Sequence, residues 1–309
     1  MRGLELSRAF FEEHGRPMLE AQFPELLPYL AVGLFGSGSE CFGWDDEVSR
    51  DHDFEPGFMI FLPGEEVVDR RSAFLLERAY AGLPKSYGGV RRSVLLPVGG
   101  ARHGVFRTGD YFLSHVGAAE GMPDTTLWLT LPEEALAEAV NGEVFFDNFG
   151  EVTRIREGLA RFPEDVRLKR LAGQLLLMAQ SGQYNYARCL AHGEPEAAQL
   201  AAAEFVKSAL SAVFLLAKRY QPYYKWAFRA LRELPVLSSL ASPLATLLTG
   251  PAGEAKTALI EDICRSVAGE LTAQGLNSGE TAELEPLAYA VNDRIRDGEV
   301  RNLHILATV

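Results

Sequence analysis

Cysteine is scarce in this chain. Cys41, Cys189 and Cys264 are scattered over 309 positions. They build neither a disulfide framework nor a Cys-x-x-Cys zinc pair, which fits a reducing cytoplasm, the expected location. Long apolar runs are missing too. Charges interrupt them, so no uninterrupted stretch is expected to span a bilayer and no membrane partner is expected. The opening Met1-Arg2-Gly3-Leu4-Glu5 does not read as a signal peptide. Positive charge is in short supply, with 30 Lys and Arg against 42 Asp and Glu, a net charge of −12 and a pI near 5.1. Such a chain does not coat nucleic acid non-specifically, so nucleic acid is not the expected partner, although a local basic groove stays open. There is no internal repeat and no low-complexity tract.

The residues that are present describe a folded protein. Hydrophobic residues make up 47% and charged residues 23%, a globular balance in a length that suits two domains. Residues 4–14 and 17–30 read as short helices and Ala31–Phe35 as the first strand. Phe54–Leu62 reads as a strand kinked at Pro56. Residues 65–81 look helical, and 93–98 and 105–115 are further strand candidates. Pro132 opens a helix that Asn141-Gly142 closes, and Glu143–Asp147 reads as a strand. From about residue 152, alanine, leucine and helical spacing take over, with four or five helices expected between 164 and 300. The expected fold class is α+β: an α/β domain over 1–160, then an all-helical domain over 161–309.

One segment points to chemistry. Gly38-Ser39-Glu40-Cys41-Phe42-Gly43 is a small glycine-serine turn, followed by Ser49-Arg50-Asp51-His52-Asp53. Side chains alternate faces in a strand, so Asp51 and Asp53 are expected to point the same way. Two carboxylates beside a glycine-rich turn suit Mg²⁺ and a phosphate chain. No Gly-Lys-Ser/Thr follows, so this is not a Walker sequence. Two-metal phosphoryl chemistry needs a third acid, and Asp147 at its strand end is the candidate. The plainer readings are a solvated strand end for the pair and a turn residue for Asp147. An EF-hand is excluded, since Pro56 and Leu62 occupy positions that need glycine and glutamate. Asp45, Asp46 and Glu47 read as solvated by default, and His52 as packing.

The string Gly38-Ser39-x-Cys41-x-Gly43, then Ser49-x-Asp51-x-Asp53, resembles the signature of the DNA polymerase β-type nucleotidyltransferase superfamily. The longer string Phe35–Phe54, with Gln180–Arg188 and Pro222–Trp226, is similar to an uncharacterised bacterial family, domain of unknown function 4037, across nearly the whole chain. The resemblance implies a nucleotidyltransferase-like mixed sheet with a helical-bundle partner domain. Gly38 and Ser39 would hold the outer phosphates of an NTP (ATP is expected). Asp51, Asp53 and Asp147 would hold two Mg²⁺ ions, with Mn²⁺ as a substitute. Arg50 between Ser49 and Asp51, and the long gap to Asp147, depart from the usual pattern.

In the helical half, Lys225, Arg229 and Arg232 share one helical face, which suits a triphosphate or a solvated basic stripe. Tyr223, Tyr224 and Trp226 suit base stacking or core. Gln180, Gln183, Tyr184 and Asn185 form a polar patch expected to face a cleft, with Tyr184 a candidate nucleotide contact. Arg188 and His192 are spaced one residue short of a toxin ribonuclease motif. The expected activity is Mg²⁺-dependent transfer of an NMP group from an NTP to a hydroxyl or amine of a small molecule or protein. The alternatives are a non-catalytic nucleotide sensor and an interaction scaffold.

Overall fold

The computed structural model describes residues 2–50, 54–92, 102–277, 279 and 281–308, with the Arg50 side chain left aside. Asp51, His52, Asp53 and the strand expected over 93–98 lie outside the described residues. The chain divides into two compact units. One comprises Met1–Asp124 and Ala135–Ala160, the other Thr125–Glu134 and Arg161–Val309.

The first unit is built on a four-stranded mixed sheet of order β5-β2-β1-β6. Helices α1 (Gly3–Phe10) and α2 (Arg16–Gln22) lead into β1 (Ala31–Leu34), β2 (Met59–Leu62) and α3 (Arg70–Ala81). A small ribbon of β3 (Ser86–Tyr87) and β4 (Val90–Arg91) precedes β5 (Gly104–Arg107). Then come α4 (Thr108–Val116), α5 (Thr125–Thr130), which belongs to the second unit as does the start of α6 (Glu133–Val140), then β6 (Glu143–Asp147) and α7 (Glu151–Leu159). Strand β1 is antiparallel to both β2 and β6, while β2 and β5 are parallel. Both faces of the sheet are covered. Phe10, Phe11, Leu19, Leu76 and Tyr80 pack with Ile60 and Leu62 on one side. On the other, Phe35 stacks on Phe61 at 5.1 Å and meets Tyr111 edge-on at 5.5 Å. Strands buried on both faces read as continuous apolar runs, which is why β1 and β2 stand out in the sequence.

Several local expectations change. No helix boundary falls at Pro17. A π-helical turn over Phe11–Gly15 joins α1 to α2, and proline sits at the start of the second piece, where its missing N–H costs little. Residues 105–115 are strand only as far as Arg107. The Thr108 hydroxyl then donates to the Leu62 carbonyl and a helix begins. Regular strand in the 54–62 segment starts only at Met59.

The second unit is helical. Helix α8 (Glu164–Met178) continues through a π-helical segment, Ala179–Tyr186, into α9 (Ala187–Ala191). Helices α10 (Pro195–Leu216), α11 (Tyr224–Arg232), α12 (Ala241–Thr249), α13 (Glu254–Ala273), α14 (Leu284–Asn292) and α15 (Gly298–Asn302) follow. This is more pieces than the four or five expected, because short helices flank the proline-marked turns. α10 has the length and mean hydropathy (1.4) of a bilayer-spanning segment, contrary to expectation, and 67% of that window is buried inside the protein. It packs against α8, which buries even Arg167, Lys169 and Arg170.

Glu133 is a half-buried acid in this unit. Its carboxylate accepts from the Ser211 hydroxyl and the Gln221 N–H, each at 3.0 Å. Burial pushes its pKa up, against the pull of those bonds and of the Arg170 guanidinium, with Glu134 adding to the rise. A folded-state pKa above the unfolded one means that this stabilisation is complete below the ordinary carboxylate range. It is lost as pH rises through the raised value. Glu133→Gln keeps both contacts, since the Ser211 hydroxyl can accept from an amide. The variant is expected to show a flatter dependence of Tm on pH than the parent between about pH 4 and pH 8, with its relative gain at the upper end.

Candidate functional site

Strand β1 delivers the chain into the glycine-serine turn. Gly36 (φ +110°) and Gly38 (φ +131°) adopt backbone geometry that other residues avoid. Asn141 clamps the first of them. The Gly36 N–H donates to Asn141 Oδ1 at 2.8 Å, and Asn141 Nδ2 donates to the Gly36 carbonyl at 2.9 Å. The Gly142 N–H adds a bond to the Cys41 carbonyl at 2.8 Å. After the turn, the Cys41 N–H donates to the Gly38 carbonyl and the Trp44 N–H to the Ser39 carbonyl, at 3.2 and 2.9 Å. Among the described residues, the N–H groups of Ser37, Gly38, Ser39 and Glu40 have no acceptor. Consecutive N–H groups of this kind form an anion-binding concavity. Cys41 is a buried packing thiol whose pKa burial pushes up.

No sequence motif signals what surrounds this turn. Arg102, just before β5, donates to the Ser37 carbonyl and pairs with Glu40. A β-carbon on Gly38 would sit 1.9 Å from the Arg102 Nη2 atom, so any other residue there would displace that guanidinium. His103 Nδ1 lies 3.2 Å from Glu55 Oε1, and its ring packs flat on Gly57, where a β-carbon would come within 2.6 Å. Parallel pairing of Met59 with Gly104 brings these groups to the sheet end where β1 enters the turn. They arrive from a segment more than sixty residues downstream, so no local spacing announces them.

Asp147 lies elsewhere. Strand β6 runs antiparallel to β1, with Asp147 opposite Ala31 and Glu143 opposite Leu34. About 10 Å of strand therefore separates Asp147 from the point where β1 enters the turn. Its carboxylate accepts the N–H groups of Gly150 and Thr153, both at 2.7 Å, at the start of α7. Asp147 thus caps the start of α7, and its placement against Asp51 and Asp53 lies outside the described residues. The acid of β6 at the turn end is Glu143, which is paired with Arg8. Asp46 bonds the N–H groups of Val48 and Ser49 and caps a 3₁₀ turn. Asp45 accepts from the Gly3 N–H through one oxygen, and its other oxygen is buried without a donor. That atom suits a cation, but among the described residues no three metal-ligating side chains come together. The described acids do not complete a metal site.

The remaining candidates belong to the second unit. Lys225 and Tyr223 are exposed at the start of α11, with Lys225 Nζ 5.1 Å from the Trp226 ring centre. The Tyr223 and Tyr224 ring centres lie 4.2 Å apart, and the neighbouring Tyr224 hydroxyl raises the Tyr223 pKa. Tyr184 is exposed beneath the Arg188 guanidinium at 4.9 Å. Gln183 is a correction to the cleft-facing patch. It donates to Glu261 and the Ala282 carbonyl and accepts from the Leu284 N–H, so it ties α13 and the α14 entry to the π-helical segment.

The family described as a domain of unknown function (DUF4037) matches residues 128–227. Over that stretch it agrees with the resemblance read from the sequence. A search of curated proteins gives no match. Among solved structures, a nucleotidyltransferase-like protein from Exiguobacterium sibiricum is similar at 9% identity and a TM-score of 0.38. The alignment covers 91% of this chain and 80% of that one.

Proposed function

We propose that the first unit binds the phosphates of a nucleoside triphosphate, ATP being the expected one, and transfers its NMP group to a hydroxyl or amine acceptor. The observation that carries this reading is the run of N–H groups over Ser37–Glu40 at the end of a central strand. Such a concavity stabilises anionic oxygen without a charged side chain. Arg102 beside it supplies a fixed positive charge, partly balanced by Glu40. Asp51 and Asp53 would hold Mg²⁺, which would neutralise the triphosphate and polarise the transferred phosphorus. Lys225, Tyr223 and Tyr184 of the second unit remain candidate nucleotide contacts.

The test is pyrophosphate release from Mg²⁺-NTP in the presence of candidate acceptors. The double variant Asp51→Asn/Asp53→Asn is expected to lose at least about a thousandfold in rate, as expected when metal ligation is removed. Its Tm without ligand should stay close to the parent's. Equal turnover in the two proteins would remove the pair from the mechanism. The helix-capping role of Asp147 favours a second reading, a nucleotide-binding module without turnover. That reading requires an NTP-dependent rise in Tm with no pyrophosphate formed under any acceptor.

A further inference from the structure

The second unit contains a cavity of about 170 Å³ that none of these roles uses. Arg161, Phe162 and Glu164 at the entry to α8, and Arg167 one turn further, form one wall. Lys218, Arg219 and Tyr220, which follow α10, form the other. We propose that this cavity binds the phosphoryl head of a soluble phosphorylated small molecule, held by Arg161, Lys218 and Arg219.

Charge is the first argument. The chain as a whole carries −12, yet here four cations face one acid. Glu164 and Arg167 neutralise each other in an ion pair, and Arg167 also donates to the Leu215 carbonyl at 3.1 Å. Among the described residues, Arg161, Lys218 and Arg219 form no ion pair and no side-chain hydrogen bond. The Arg296 guanidinium acts on Glu164 as Lys218 does, adding positive charge to the neighbourhood.

Backbone strain is the second. Lys218 has φ +54°, a left-handed conformation. It stands just past α10, where its N–H donates to the Leu215 carbonyl and the Arg219 N–H to the Phe214 carbonyl. Glycine is the usual residue at this point, because a β-carbon is penalised there. A cation near a helix C-terminus normally offsets the dipole. Arg167 already fills that role at Leu215, which leaves the Lys218 side chain to serve the cavity. Strain of this kind collects at ligand sites.

Size and lining decide the ligand class. The volume holds about five or six water-sized groups, which admits one phosphoryl group and a short stem and excludes a whole nucleotide. Phe162 offers an apolar edge for that stem, fixed against Tyr220 at 4.8 Å.

Calorimetry on the full chain with inorganic phosphate and inorganic pyrophosphate tests the assignment. The parent protein is expected to bind pyrophosphate saturably at low salt. Arg219→Gln should weaken it about tenfold, the effect of losing one charge-assisted bond. Lys218→Gly should weaken it similarly while raising the ligand-free Tm by about 2 °C, since glycine relieves the strain. That gain also shows that the variant folds. The proposal is overturned by a parent that binds neither anion, by variants that bind as well as the parent, or by a Lys218→Gly protein that melts earlier. Retention only on phosphatidic acid vesicles, or only by an RNA oligonucleotide, would equally overturn it. The proposal does not depend on nucleotidyl transfer.

Discussion

Lys169→Met is expected to destabilise the second unit by about 2–3 kcal/mol, the cost of leaving neutral acceptors without their charged donor. Lys169 is fully buried on α8. Its ammonium donates to Asn292 Oδ1 at 2.9 Å, to the Arg301 carbonyl at 3.2 Å and to the Leu303 carbonyl at 2.6 Å. Methionine fills nearly the same volume, so packing changes little. The loss lies in the Asn292 and Leu303 acceptors left without this donor, the Arg301 carbonyl keeping its bond from Asn292 Nδ2. Leu303 belongs to the last turns of the chain, and the damage should be directed there. Hydrogen exchange over residues 298–308 should accelerate more than exchange over α10, and the unfolding midpoint in urea should fall. Equal acceleration in both segments would show that Lys169 supports the whole unit evenly.

The second large effect is expected at Gly142. Its φ is +59°, and a β-carbon there would lie 2.1 Å from the Leu34 carbonyl oxygen and 2.8 Å from the Phe35 Cα. Both obstacles are backbone, so no side chain can swing aside. Gly142→Ala is expected to cost about 3 kcal/mol, more than the left-handed conformation alone requires. Gly275→Ala is the control. It shares a positive φ (+69°) but nothing lies within 4 Å of the added carbon, so it should cost only about 1 kcal/mol. The difference between the two measures the close approach of β1 and the start of β6. Because Asn141 and Gly142 hold the Gly36–Cys41 turn, Gly142→Ala should also lower any NTP-dependent rise in Tm.

Much of the fold is legible before any coordinates. β1, β2 and β6 announce themselves as apolar runs, and α6 by Pro132 ahead of it and Asn141-Gly142 behind. The segment 105–115 misleads because β5 passes into α4 with no proline and no loop. The informative signal there is the spacing of Tyr111, Phe112, His115 and Val116, which is helical. Asp147 shows a deeper limit. Its local context, an acid after four strand residues, is the same for a metal ligand and for a helix cap. Where Asp147 lies depends on the direction of β6 against β1, and that direction is set by pairing across more than a hundred residues. Arg102, His103 and Asn141 are invisible for the same reason. Each gains its meaning from a strand far away in the chain.

The two π-helical turns, Phe11–Gly15 and Ala179–Tyr186, say something about ancestry. A wide turn carries one residue beyond what its helical ladder needs. Such a place absorbs an added amino acid as a swelling, leaving both ends of the helix in step with their neighbours. Each bulge therefore marks a position where the protein's length can drift by one across generations while the packing on either side keeps its phase.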